Sequence, residues 1–373
     1  MDNEYLYEDT VYGDISVEES VRRRREKARR LKRRREKQLL LLKRRIIATC
    51  CGIVLLGLLI FGAVSGVKAI RDVIGSRIAG NKVDEVAAGN DDASAGQRDV
   101  YKVKYDFPAF SNKYTEITSS SVRIPYVALL SVEDNIIIAG REPDSKIYPA
   151  SMTKVMTLLV AVENIEDLDN SYYTFKFDEL NKLYLEEASV AGYLVDEKVS
   201  ARDMLYGLVL PSGADAAVGL ANLVAGSETE FAKLMNKKCD ELGLKNTHFE
   251  NTSGLYNDNQ YTTPIEMAII MRAAMDNPVC AKVLSTYQYD STPTDKHTEG
   301  IKLTSTMFSR MYGNEVEGVS IQAGKTGYVY ESGHCLVNYA EKDGKHYVCV
   351  LAQGTNKWHC IFDSFDIYTN YLP

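Results

Sequence analysis

The chain has 373 residues, 25% of them charged and 45% hydrophobic, and a formal net charge of −7. That balance hides an asymmetry, because the residues beyond position 45 hold 29 basic against 42 acidic side chains, a balance of −13. So acidic a remainder excludes a nucleic-acid binder. The five histidines form no i, i+4 pair and no His-Glu signature, and the seven cysteines have no C-x-x-C or metal spacing, which excludes a zinc carboxypeptidase and implies no cofactor.

In chain order, the first 20 residues carry seven acids and no base, whereas Arg22 to Arg45 carries 15 Lys or Arg against Glu26 and Glu36. Ile46 to Val67 then runs 22 residues without a charge. At about 1.5 Å per residue this reaches roughly 33 Å, enough for a hydrocarbon core of about 30 Å. A dense basic block ahead of an apolar span predicts a cytoplasmic N-terminus and export of everything after it. A cleaved signal peptide is the competing reading, disfavoured by the 45-residue leader and the length of the span. The expected organisation is a cytoplasmic basic segment (1–45) that also grips anionic membrane lipid, a single-pass signal-anchor (46–67), an extracytoplasmic linker rich in small and polar residues (68–114), and one catalytic domain (115–373).

Within that domain, Pro125 to Val132 and Asn135 to Gly140 are strand-like, and an apolar run from Val155 to Val162 predicts a buried helix. At the head of that helix, Ser151-Met152-Thr153-Lys154 reads S-x-x-K. A serine hydroxyl is a weak nucleophile at neutral pH and needs a base within hydrogen-bond reach. Three residues along a helix bring two side chains onto one face about 5–6 Å apart at Cβ, and a dry pocket encourages a lysine to give up its proton. A mostly helical stretch from about Ser200 to Asn277 follows, containing Ser212-Gly213-Ala214.

Lys325-Thr326-Gly327 lies in a strand-like run from Val319 to Tyr330. It supplies a positive charge, a hydroxyl and a bare backbone against which an extended peptide can pair as an added strand. His334 to Ala340 and His346 to Ala352 flank Asp343-Gly344, a hairpin signal, and the turn puts Cys335 and Cys349 on opposite faces, so no bridge joins them. Phe362 to Tyr371 predicts a closing helix. Strands at both ends of the domain with helices between them imply an α+β fold, one antiparallel sheet covered by helices.

S-x-x-K, S-G-A and K-T-G stand in the order of the penicillin-recognising serine enzymes. With Tyr148-Pro149-Ala150, Ser189-Val190-Ala191-Gly192, Ser200 to Gly213, Glu241-Leu242-Gly243-Leu244, Asn251-Thr252-Ser253-Gly254-Leu255 and Tyr261-Thr262-Thr263-Pro264, the region from Tyr126 onward resembles the serine D-alanyl-D-alanine carboxypeptidases. These are low-molecular-mass penicillin-binding proteins of the peptidase S11 type, which trim the peptidoglycan stem peptide. The resemblance implies Ser151 as acylated nucleophile, Lys154 as its base, and Ser212 with Lys325 passing a proton to the leaving D-alanine. It further implies that Lys325 and Thr326 hold the substrate's terminal carboxylate, with Gly327 in the substrate-pairing strand, and that the backbone N–H groups of Ser151 and Tyr328 form the oxyanion hole. Its expected ligands are the D-alanyl-D-alanine end of the stem peptide and β-lactams.

The sequence departs from the family at Ala214, where the second motif carries Asn; Asp215 and Asn251 are the nearby candidates to stand in for its amide. Two other classes share the motifs. One is a catalytically weakened penicillin- or peptidoglycan-binding ectodomain. The other is a serine β-lactamase, which needs a deacylating Glu in a loop after the second motif, whereas the only similar run, Glu179-Leu180-Asn181, precedes it.

Overall fold

The computed structural model describes residues 106–373; the basic segment, the apolar span and the linker up to residue 105 lie outside the described residues. Among the described residues no helix is long and apolar enough to cross a membrane. The strands are β1 (Ala109–Glu116), β2 (Tyr126–Ser131), β3 (Ile136–Arg141), β4 (Tyr172–Thr174), β5 (Lys198–Ser200), β6 (Gln288–Asp290), β7 (Lys302–Thr304), β8 (Ser320–Val329), β9 (Gly333–Lys342) and β10 (Lys345–Gly354). The helices are α1 (Thr153–Asn164), α2 (Phe177–Leu185), α3 (Ala201–Val209), α4 (Ala214–Ala225), α5 (Glu228–Glu241), α6 (Pro264–Met275), α7 (Pro278–Leu284), α8 (Phe308–Met311) and α9 (Lys357–Tyr371).

Six strands form one sheet in the order β1-β3-β2-β10-β9-β8. Its middle strands are apolar on both faces. Along β10, Val348, Val350 and Ala352 enter one core, while Tyr347, Cys349 and Leu351 enter the other. This is the period-two alternation of a strand covered on both sides, and it is why the sequence there reads as a continuous apolar run. The larger core packs the sheet against α1 and α3 to α7; the smaller is closed by α9 through Ile361, Ile367 and Tyr368. Cys335 belongs to the first core and Cys349 to the second. The hairpin turn between β9 and β10 has Asp343 at φ 52° and Gly344 at φ 74°, the paired left-handed conformations for which Asp-Gly is selected.

One expectation is corrected: the sheet is not wholly antiparallel, because β1 runs parallel to β3. The chain leaves β1, passes over to β2 through residues 117–125, and so lays β1 on the far side of β3. The guanidinium of Arg141 clamps this crossover, donating to the carbonyls of Ile117, Ser119, Val122 and Ile124 at 2.7 to 3.0 Å. β1 takes in residues 109–114, part of the expected linker, and its mostly exposed side chains carry no apolar alternation to reveal a strand. At the opposite edge lies β8, whose outer side has no strand partner among the described residues. The closing helix begins at Lys357, five residues ahead of the apolar run that signalled it, capped by Asn356 accepting from Trp358 N.

Candidate active site

Ser151 sits in a single 3-10 turn, Ala150–Met152, that leads into α1. α1 is buried from Thr153 to Ala161, nine of its 12 residues, because it lies between the sheet and the helices around it. Burying side chains such as Met156, Leu158 and Leu159 contributes about 1.5–3 kcal/mol each, so the base of the turn is held by the core itself. Two glycines let other backbones approach that turn. A Cβ on Gly327 in β8 lies only 3.1 Å from both Ser151 N and Pro149 O. A Cβ on Gly254 lands 1.9 Å from the carbonyl oxygen of Ala150, and Gly254 has φ +81°, which L side chains rarely adopt. Ala150 itself is held at φ 46°, so the residue before the serine is strained into place by its neighbours.

The structure brings the two members of S-x-x-K together. Lys154 Nζ lies 3.0 Å from Ser151 Oγ and donates to the carbonyl oxygen of Ser253 at 2.5 Å. Only 2% of Lys154 is exposed. Burial pushes its amine down to about 7, against the opposing pull of the negative charges of Asp215 and Glu228. An amine that is part neutral near pH 7 is able to take the serine proton.

K-T-G meets the second motif in the same cleft. Lys325 Nζ lies 2.9 Å from Ser212 Oγ and donates to the carbonyl oxygen of Thr326 at 2.7 Å. Burial, together with the positive charges of Lys154 and Arg310, holds Lys325 well below its ordinary value. Ser212 is presented from a left-handed backbone, φ 67°, between α3 and α4. Thr326 Oγ1 shares a hydrogen bond of 2.7 Å with Thr306 Oγ1, whose own amide donates to Leu210 O at 3.0 Å, so the threonine is tied back to the second motif. Tyr328, one residue past the motif, is exposed, and its ring stacks on His334 with centroids 4.3 Å apart.

Ala214 is a buried methyl at the first turn of α4, and its amide donates to Ser189 O. Both candidate stand-ins are hydrogen-bonded within their own loops. The Asp215 carboxylate accepts from the backbone amides of Ala191, Gly192, Tyr193 and Ala216 at 2.7 to 3.3 Å, which folds the 189–193 turn over α4. Asn251 is occupied in its own turn, donating to Leu255 O and accepting from Gly254 N. Glu179, the one acid considered for a deacylating role, accepts from Tyr173 Oη and Asn222 Nδ2 between α2, β4 and α4.

Three participants escaped sequence reasoning. The Ser253 carbonyl is a main-chain group and has no side-chain signature beyond the Asn251-to-Leu255 turn that carries it. Thr306 and Arg310 lie in and beside a four-residue helix with no motif around them.

Comparison with known proteins converges on the same region. The family described as D-alanyl-D-alanine carboxypeptidase, peptidase S11, matches residues 116–355. D-alanyl-D-alanine carboxypeptidase DacF of Bacillus subtilis is 32% identical over 228 residues, 60% of this chain and 55% of the relative. The D-alanyl-D-alanine carboxypeptidase of Streptomyces sp. K15 is 30% identical over 223 residues, 57% of this chain and 75% of the relative. The chain thus spans little more than half the length of the Bacillus relative. Among solved structures, the Streptomyces K15 DD-transpeptidase superposes with TM-score 0.61 at 27% identity, covering 69% of this chain and all of that one. The D-alanyl-D-alanine carboxypeptidase of Mycobacterium tuberculosis superposes with TM-score 0.57 at 26% identity, covering 65% and 89%. With a serine and a buried lysine paired under a K-T-G strand, in a fold shared with these enzymes, the chain belongs to the peptidase S11 family of D-alanyl-D-alanine carboxypeptidases.

Proposed function

We propose that this protein is a membrane-anchored serine carboxypeptidase that removes the terminal D-alanine from peptidoglycan stem pentapeptides through an ester on Ser151. The observation that carries the reading is the buried Lys154 amine 3.0 Å from Ser151 Oγ, pushed down to about 7. Lys154 takes the Ser151 proton as Oγ attacks the penultimate D-alanine carbonyl, and the developing oxyanion rests on the amides of Ser151 and Tyr328. The peptide C–N bond then breaks, and the proton that Lys154 took is relayed through Ser212, backed by Lys325, to the departing amine, which leaves Lys154 neutral again. Water, its proton drawn off by Lys154, attacks the ester carbonyl, and as the bond to Oγ breaks Lys154 returns that proton to Ser151. The open edge of β8 takes the peptide as an added strand, with Gly327 admitting it close to Ser151. Penicillins enter as mimics of the D-alanyl-D-alanine end and stall at the ester.

The basic block and the apolar span support a single-pass anchor with the N-terminus in the cytoplasm, which places the catalytic domain on the side of the membrane where peptidoglycan lies. Protease added to intact cells tests that topology: the catalytic domain is cleaved and an epitope at residue 1 survives.

The activity is tested by incubating the protein with a fluorescent penicillin and, separately, with a stem pentapeptide. Labelling and D-alanine release that both vanish in Ser151→Ala support the enzyme; no labelling of the unaltered protein sinks the Ser151 assignment. Labelling without release points to the second reading, a weakened penicillin- and peptidoglycan-binding ectodomain. That reading draws its support from Ala214, because Asp215 and Asn251 are both committed elsewhere.

A further inference from the structure

A pentapeptide that gives up its last residue leaves four residues on the acyl side of the broken bond, and in peptidoglycan those four end on the glycan. The functional reading above gives them a direction. The Tyr328 amide meets the scissile carbonyl and Thr326 lies on the side of the departing D-alanine, so the acyl side runs past Tyr328 toward the end of β8 at Val329. Four extended residues reach about 13 Å, which sets where the first sugar falls.

That end of the sheet carries an exposed aromatic surface. Tyr328 pairs with His334 on β9, and His334 pairs with Gly354, the last residue of β10. Two strand spacings bring the connection into α9 within about 10 Å of Tyr328. Side chains alternate along a strand: Gly327 lies toward Ser151, and Leu336, opposite Thr326, enters the core under α9. The stacked rings of Tyr328 and His334 therefore stand on the α9 side. Three residues after Gly354, α9 opens with Lys357, Trp358 and His359. Burial, then the charges of Arg310, Lys357 and His359, hold the His334 imidazole below its ordinary value, in keeping with that proximity.

Trp358 and Phe362, one turn apart on the outer face of α9, are each 40% exposed. Their rings lie 6.2 Å apart, inclined by only 23°, and Lys357 Nζ stands 5.3 Å from the indole centroid. Two near-parallel aromatic faces with a cation at one end suit the C–H face of a pyranose and its polar substituents. Large apolar side chains left in water beside a cleft mark a binding surface.

We propose that Trp358 and Phe362, with Lys357, form a sugar subsite that holds the glycan end of the substrate, so that a disaccharide-linked stem peptide is taken in preference to the free peptide. It rests on the functional reading above for the direction of the peptide. The ligand class is a β-linked disaccharide of N-acetylated amino sugars that carries the peptide.

Trp358 is the only tryptophan of the chain, so its fluorescence reports the subsite directly. In the full-length protein a disaccharide pentapeptide quenches or shifts that emission and the free pentapeptide does not; unchanged emission with the disaccharide pentapeptide overturns the proposal. D-alanine release has a kcat/KM about tenfold higher on the disaccharide pentapeptide than on the free one, the gain lying in KM. Trp358→Ala and Phe362→Ala each remove most of that preference while leaving release from the free pentapeptide and penicillin labelling unchanged, and Trp358→Tyr retains it. Equal kcat/KM on the two substrates in the unaltered protein, or a preference that survives both alanine variants, overturns the proposal. Loss on both substrates alike marks a structural role and overturns it too. So does a Trp358→Ala variant that loses binding to phosphatidylglycerol vesicles with its substrate preference intact, because the patch then faces the membrane. No release from either substrate by the unaltered protein is a failure of the functional reading; the fluorescence change needs no turnover and decides the subsite by itself.

Discussion

Lys325 Nζ lies 2.9 Å from Ser212 Oγ across 113 residues of chain, and Ser212 holds its hydroxyl there from a left-handed backbone at φ 67°. The backbone strain and the hydroxyl's position are two parts of one device, and they separate by mutation. Ser212→Ala and Ser212→Gly both remove the hydroxyl, but only glycine adopts that φ without penalty. Acylation of Ser151 by a penicillin falls about 100- to 10,000-fold in both variants, as for loss of a general acid–base partner. The glycine variant unfolds at higher urea than the alanine variant, by about 1 kcal/mol. Equal stabilities would remove the strain from this account.

The buried amine of Lys154 sets a pH dependence on both rate and stability. Pushed down to about 7 by burial, it is protonated in acid and cannot accept the serine proton. Acylation therefore rises about tenfold per pH unit below 7 and levels off above it. Lys154→Arg, which keeps a charge but cannot shed a proton, loses acylation at every pH.

The sign for stability is the same as for a paired acid, because a folded-state pKa below the unfolded one makes stability rise with pH, although here a penalty is relieved and not a bond gained. Between about 7 and the ordinary value of 10.5 the unfolded chain binds the proton at Lys154 and the folded one does not, so stability rises with pH across that window. Below 7 the penalty is complete; above 10.5 it is gone. Lys325, held low in the same way, adds with the same sign. Lys154→Met flattens the rise by up to about 1.4 kcal/mol per pH unit, read from urea midpoints between pH 7 and 9.

Most of this site is legible in the sequence, for a reason that also marks what is not. S-x-x-K is a local pattern, and a helix turns its spacing into the Ser151 to Lys154 contact. K-T-G announces itself because Gly327 is needed where β8 meets Pro149 and Ser151. The β8 to β10 hairpins follow from alternation and Asp343-Gly344, and even the separation of Cys335 from Cys349 is a matter of parity along two strands. What the sequence conceals depends on main-chain groups or on distant pairing. The Ser253 carbonyl needs no particular side chain. Asp215 reads as a spare acid beside Ala214, yet four backbone amides claim it. β1 is a parallel edge strand with polar, exposed side chains, so no periodicity betrays it.

Gly254 and Gly226 share nearly the same conformation, φ +81° and +74°, in different surroundings. At Gly226, which ends α4, a Cβ meets nothing within 4 Å, so Gly226→Ala costs only the left-handed conformation, about 1 kcal/mol. At Gly254 the added atom lands on the Ala150 carbonyl, 1.9 Å away, and the backbone of the Ser151 turn must move. Gly254→Ala loses penicillin labelling and unfolds at markedly lower urea, with a stability loss of about 3 kcal/mol or more. Retained labelling in that variant would mean that the 251–255 turn does not support Ser151.

Ala214 is the position where the chain withholds something its family supplies. The residue opens α4 two places after Ser212, its amide is bound to Ser189 O and its methyl is buried, while Asp215 and Asn251 are both hydrogen-bonded elsewhere. An asparagine there adds an amide able to hydrogen-bond a substrate peptide without disturbing the backbone bond to Ser189. If the missing donor limits the reaction, Ala214→Asn raises D-alanine release by about 100- to 1,000-fold, the effect of one preorganised donor. Penicillin acylation gains in parallel, while the urea midpoint shifts little because the change lies at the rim of the core. If turnover is unchanged while the variant folds and labels normally, a group already in the cleft fills the role, and the Ser253 carbonyl with the Lys154 amine it binds is the next place to look.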